Sequence, residues 1–190
     1  MTDPAPVAAV ILAAGLGRRF GRPKATASLA GASFLDRVSA RAADAGLDPV
    51  IAVVPPRTAT PTEVTAVVNP APERGLSSSL QLGIGAVPAG HAALILLVDQ
   101  PTLERTALEA ILGARGHRPV VAASADARLG PPVLLEPDAF PLATALSGDI
   151  GLREVLAANP ELVQAVPVPA HAPDVDTPAD LERLEARLGP

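Results

Sequence analysis

The chain has 190 residues, a formal net charge of −5, 22 prolines and no cysteine, tryptophan or tyrosine. At this length one domain with a core of Ala, Val, Leu and Ile is the simplest arrangement, and the absent cysteines exclude disulfides and thiolate metal sites. The acidic balance and the near absence of aromatics speak against a nucleic-acid partner.

The N-terminal stretch MTDPAPVAAVILAAG has an apolar centre but no basic leader region, and no apolar run nears the roughly 18 residues of a membrane span. The expectation is a cytoplasmic protein with no membrane partner. VAAVILAA (7–14) reads as a first strand, and its continuous branched character suits burial on both faces of a parallel sheet. ASFLDRVSARAADAG (32–46) reads as a helix with Ser33 at the N-cap, Asp36 near N3 and Gly46 as the stop. PVIAVVP (49–55) and TAVVNP (65–70) are further strands, and SSSLQLGIGAV (77–87) is a helix opened by cap-type residues. AALILLVD (92–99) is a strand. TLERTALEAILGARG (102–116) is an amphipathic helix with Leu103, Ala107, Ala110 and Ile111 on one side. RPVVAAS (118–124) and PVLLE (132–136) read as strands, DIGLREVLAANP (149–160) and TPADLERLEARLG (177–189) as helices. Strand and helix in alternation predict a single-domain, doubly wound α/β fold of Rossmann-like, three-layer α/β/α form with a mostly parallel sheet.

The loop after the first strand, LAAGLGRRFGRPK (12–24), holds Gly15, Gly17 and Gly21, the cations Arg18, Arg19 and Arg22, and Lys24, the one lysine of the chain. Its place at the carboxyl edge of a strand is where open α/β sheets bind ligands. Glycines let backbone amides approach an anion, and the cations add charge-assisted donors, so the loop reads as a polyphosphate cradle. Two phosphate motifs fail on spacing. A P-loop would need four residues between its glycines and a lysine directly after the second, and the dinucleotide fingerprint would need glycine where Phe20 stands.

Asp99 closes the strand ALILLVDQP and is well placed to hold Mg²⁺ between phosphate oxygens, with capping of the helix near Thr102 as its other role. In APDVDTPADLERL, Thr177, Pro178 and Asp180 form a helix start by themselves, which leaves Asp176, or else Asp174, as a second acid. Gly75 and Ser77 to Ser79 put amides and hydroxyls at a helix N-terminus suited to a nucleotide, or to simple capping. Arg128, Gly130, Gly148, Asp149, Gly151 and Arg153 are the remaining polar or glycine positions of note. His91, His117 and His171 show no ligand spacing and read as surface residues.

LAAGLGRRFGRPK resembles the LAAGxGxRMGxxK signature of nucleotidyltransferases, with Phe20 in place of Met. LLVDQP, GLSSSLQLGI, LSGDIGLREVL and DVDTPADL, in this order, extend the likeness over nearly the whole chain. Together they resemble the molybdenum cofactor cytidylyltransferase branch of the MobA-like NTP transferases. The resemblance implies nucleotide contacts from Leu12, Ala13, Ala14, Gly15, Gly17, Arg19, Lys24, Gly75 and Ser79. It implies catalytic roles for Arg19, Lys24 and Asp99, and Mg²⁺ held by Asp99 and Asp176. Gly130, Gly148, Asp149 and Arg153 would line the acceptor side, so that residues from about 7 to 110 serve the nucleotide and from about 111 to 190 the acceptor. Ala14, where a GTP-using branch carries glycine, points to CTP. The implied reaction joins CTP to molybdopterin, with a molybdoenzyme or its chaperone as a further partner. The alternatives are a guanylyltransferase, a sugar- or polyol-phosphate nucleotidyltransferase, or a non-catalytic cofactor chaperone.

Overall fold

The computed structural model describes residues 5–125, 128–148, 151–168 and 174–188. The strands are β1 (Val7–Leu12), β2 (Ser28–Leu29), β3 (Ala32–Ser33), β4 (Val50–Val54), β5 (Thr65–Val68), β6 (Ala92–Leu97), β7 (Val120–Ala125), β8 (Arg128–Leu135) and β9 (Val163–Pro167). The helices are α1 (Phe34–Asp44), α2 (Leu76–Gly85), α3 (Arg105–Gly113), α4 (Phe140–Thr144), α5 (Leu152–Ala158) and α6 (Pro178–Leu188). Seven strands form one sheet in the order β5-β4-β1-β6-β8-β7-β9, and β2 and β3 make a small separate ribbon.

Period-two alternation along the central strands divides the core into two layers. Ala9 and Ile11 of β1 pack on one face with Phe34, Leu35 and Val38 of α1, Leu108 and Ile111 of α3, and Leu184 of α6. Ala8, Val10 and Leu12 pack on the other with Leu80 and Ile84 of α2, Ala143, and Leu152 and Leu156 of α5. Helices therefore cover both faces, which is why the central strands are apolar throughout. α2 lies very close to the sheet: a Cβ on Gly83 would stand 2.4 Å from Val10 Cγ1.

β1 pairs in parallel with β4 on one side and with β6 on the other. The chain thus reverses its winding between β1 and β6, and the loops after these two strands open side by side at their carboxyl ends. That crevice is where doubly wound sheets bind ligands.

Several expectations need correction. β8 runs antiparallel to both β6 and β7, and it spans 128–135 rather than 132–136. β9, an edge strand parallel to β7, was not legible, because none of its residues is fully buried and the short run ends in Pro167. α3 begins at Arg105, and its buried side is Ala107, Leu108 and Ile111, with Ala110 exposed and Leu103 buried ahead of the helix. The helix expected over 149–160 is α5 followed by a 3₁₀ turn at Pro160–Leu162.

Candidate active site

The glycine loop leaves β1 under tight backbone control. Gly17 has φ +58°, and a Cβ there would stand 1.9 Å from the Arg22 carbonyl oxygen, so no other residue fits without moving the loop. Gly21 N–H donates to Gly17 O at 2.8 Å and closes the turn. Phe20 anchors the loop in the core, packed on Phe34 with ring centroids 6.1 Å apart. Arg22 lies over the Phe20 ring at 5.7 Å and so does not join the cations facing the crevice, contrary to its expected place in the cradle. At Gly15, by contrast, a Cβ would meet no protein atom within 4 Å. The protein's own packing does not require glycine there; the open space faces the crevice.

Lys24 begins a 3₁₀ turn, Lys24–Thr26, that brings its ammonium back over the end of β6. Nζ donates to Asp99 Oδ2 at 2.9 Å and to Asp176 Oδ1 at 2.6 Å, joining residues 75 and 152 positions away. Arg19 Nη2 reaches Asp176 Oδ2 at 3.1 Å from a largely exposed side chain. Asp99 Oδ1 is buried and has no hydrogen-bond partner among the described residues. Burial pushes the Asp99 carboxyl above its ordinary value even though the Lys24 charge pulls it down. Burial opposes the charge on Lys24, but the Asp176 and Asp99 carboxylates outweigh it and raise the ammonium.

Asp174 and Asp176 have different side-chain partners. Val175 is buried, and its N–H donates to Asp99 O at 2.9 Å, which holds this stretch against the end of β6. Asp174 Oδ1 accepts from Gln100 Nε2 at 3.0 Å, while Asp176 faces Lys24. Asp180 is the cap the sequence suggests: its Oδ2 accepts from the Thr177 N–H at 2.7 Å and the Asp176 N–H at 3.1 Å. Hydrogen bonds from Thr177 hold its carboxyl below the usual range. Asp99 does not cap α3, which starts six residues on, behind Glu104.

Leu12, Ala14, Gly15, Gly17, Arg18, Arg19, Lys24, Ser79, Asp99 and Asp176 line one cavity of about 310 Å³. A second, of about 330 Å³, adjoins it across Gly15 and Ser79 and is closed by Gly75, Pro72 and Glu73. Ala13 is not at the surface of either; it lies in the core layer beneath α1, its N–H donating to Val53 O at 2.8 Å. None of the three serines caps α2. Gly75 is the N-cap with φ +93°, and Ser77 Oγ and Ser78 Oγ donate to Gly148 O at 2.7 Å and Gly75 O at 2.8 Å. Leu76, 40% exposed and bordering both cavities, and buried Asn69 behind Ser79 were missed. The exposed leucine at a helix start was a legible signal; the asparagine was not.

The expected acceptor residues gather elsewhere. A Cβ at Gly130 would stand 3.6 Å from Arg153 Nη2, and Gly148 is tied to the start of α2 through Ser77. Arg153 is exposed and has no ion pair among the described residues. Asp149 and His171 lie outside the described residues. Among those described, no helix is long and apolar enough to cross a membrane.

The family described as "MobA-like NTP transferase domain" matches residues 9–165. The chain is 31% identical over 205 residues to nicotine blue oxidoreductase of Paenarthrobacter nicotinovorans, an alignment covering 96% of this chain and 98% of that one. Rv0371c from Mycobacterium tuberculosis superposes with a TM-score of 0.84 at 22% identity, covering 96% of this chain and 99% of that one. A manganese complex of the same protein gives 0.78 over 96% and 98%. CMP:2-keto-3-deoxy-manno-octonic acid synthetase in complex with CTP gives 0.78 at 16% identity, over 97% and 98%. With the match spanning β1 to β9 and the glycine loop at its start, the chain belongs to the MobA-like NTP transferase family, and its domain is that of a nucleotidyltransferase.

Proposed function

We propose that this protein is an Mg²⁺-dependent CTP:molybdopterin cytidylyltransferase, which makes molybdopterin cytosine dinucleotide and pyrophosphate. The single observation that carries the reading is the convergence of Lys24, Asp99 and Asp176 at the carboxyl ends of β1 and β6, facing the open space at Gly15. The loop amides and the Arg18, Arg19 and Lys24 side chains offer donors to a triphosphate. The acceptor's phosphate is ionised near neutral pH, so its oxygen can attack the α-phosphorus with no general base. The bond to the pyrophosphate oxygen breaks, and the cations neutralise the charge that gathers on it. Ala14 and a structural neighbour solved with CTP support the base.

The residues present suit a divalent cation. Asp99 Oδ1 is buried without a partner among the described residues, and Asp99 and Asp176 already converge on one positive charge. Two carboxylates with substrate phosphates completing the shell suit a hard cation. Bound there, Mg²⁺ would supply charge neutralisation on the phosphate oxygens. Lys24 must turn from the carboxylates to the phosphates before they can take this role. Gly130, Gly148, Asp149 and Arg153 would serve the acceptor, in the part of the chain from about 111 to 190.

Calorimetric titration with CTP, GTP, ATP and UTP, each with Mg²⁺, tests the nucleotide. Preference for CTP supports the reading; preference for GTP keeps the chemistry and changes the product. Sugar-phosphate acceptors, tried in turn, test the remaining relatives of the reaction, and binding without pyrophosphate release marks a cofactor chaperone. A second reading rests on the 31% identical oxidoreductase. The chain has no cysteine, tyrosine or tryptophan, so electrons would have to be carried by a bound cofactor, and the phosphate cradle would hold its nucleotide part. Oxidation of NADPH by the protein in the presence of an aromatic acceptor would favour it.

A further inference from the structure

Asn69 is 1% exposed, touches Ser79 and lines neither cavity of the site. Its orientation is fixed by a group that can only donate: the Ala71 backbone N–H meets Asn69 Oδ1 at 3.0 Å. The amide nitrogen must then face the other way, towards Ser78 Oγ and Ser79 Oγ, each at 3.0 Å. Both hydroxyls are made acceptors by the two amide hydrogens. Ser78 uses its own proton on Gly75 O at 2.8 Å. Ser77, one turn position earlier, uses its proton on Gly148 O at 2.7 Å. Ser79 alone of the three accepts without donating to any described residue. Ser79 is buried against the protein and borders both cavities of the site.

We propose that Asn69 is a positioning residue that reserves the Ser79 hydroxyl proton for an acceptor oxygen of the bound nucleotide. The polarity is relayed from a backbone amide, through the Asn69 side chain, to the hydroxyl. With an acceptor in place of the Asn69 nitrogen, Ser79 would turn its proton inward and present lone pairs to a phosphate or carbonyl oxygen, an unfavourable pairing in a partly buried place. The proposal rests on reading the cavity as a nucleotide site.

The test is a double-mutant cycle read by the dissociation constant for CTP with Mg²⁺. N69D keeps the shape and still accepts from Ala71 but reverses the polarity towards the serines. S79A is expected to weaken binding about tenfold, as for one charge-assisted hydrogen bond, and N69D by about the same factor or more. In the S79A background the further loss from N69D should shrink to about threefold or less. In the S78A background it should stay near tenfold, although Ser78 is as close to Asn69 as Ser79 is. The added charge and any general packing defect act in every background and cancel in this comparison. N69L, which lacks both amide hydrogens, repeats the cycle where N69D fails to fold. An equal loss from N69D with and without the Ser79 hydroxyl, or no loss, overturns the assignment while leaving the nucleotide reading intact. Failure of the wild-type protein to bind any of the four nucleotides overturns both.

Discussion

Lys24→Met removes the charge at the centre of the site while keeping most of the apolar stem. In the ligand-free protein Nζ bridges Asp99 at 2.9 Å and Asp176 at 2.6 Å, with 15% of the Lys24 side chain exposed against 22% and 36% for the two acids. Each hydrogen bond to a charged group contributes about 1.5–3 kcal/mol net, and burying the ammonium offsets part of that, so the variant should lose about 2 kcal/mol. For a domain of this size that is a fall in Tm of roughly 4–8 °C. The variant also leaves burial of Asp99 unopposed, so its carboxyl rises further above its ordinary value. The deficit should therefore be smaller at acidic than at alkaline pH, because protonation relieves it. Mn²⁺ alone should raise the Tm of the variant more than that of the wild type, since the lysine no longer competes for the two carboxylates. Scanning calorimetry at two pH values, with and without Mn²⁺, reads all three effects. An unchanged Tm, or equal Mn²⁺ responses in the two proteins, would refute the claim that Lys24 neutralises these acids in the free protein.

Asp99→Asn should melt at or above the wild type at pH 7 while losing the Mn²⁺ response. Burial raises the Asp99 pKa, so its ionised form disfavours the fold; that handicap grows as pH rises through the raised pKa and vanishes below about 4, where thermal scans of the two proteins should converge. Gly17→Ala and Gly15→Ala should separate fold from binding. The first drives a methyl into the Arg22 carbonyl and should lower both Tm and CTP affinity; the second meets no protein atom and should lower affinity roughly tenfold or more with Tm within about 1 °C. Arg115→Met should cost stability alone, because its guanidinium holds Glu136 through two 2.8 Å bonds far from the glycine loop; unchanged CTP binding with a lower Tm checks this.

The parts of the fold legible in the sequence are those written locally. The continuous branched runs of β1 and β6 are buried on both faces as they read. The Ser33–Asp36 capping box forms, with bonds of 3.0 and 3.1 Å, because both partners lie in one helical turn. The glycine loop and Asp99 were legible because chemistry at a strand end needs particular residue types. What depends on distant partners was not. The antiparallel course of β8 is set by its place between β6 and β7, and nothing within its own eight residues states it. Arg22 reads as one more cation until Phe20 gives it a ring to lie on. Asp176 reads as the better second acid than Asp174, but their partners, Lys24 for Asp176 and Gln100 for Asp174, lie 152 and 74 positions away and are not written nearby.

The measurement that tests the central claim most directly is the fate of CTP labelled at its α-phosphorus, incubated with Mg²⁺, protein and molybdopterin. Nucleotidyl transfer predicts that the label moves into a dinucleotide product while one pyrophosphate is released for each label transferred, and that Asp99→Asn abolishes both. CTP recovered unchanged, together with oxidation of a reduced nicotinamide cofactor added to the same mixture, would contradict it.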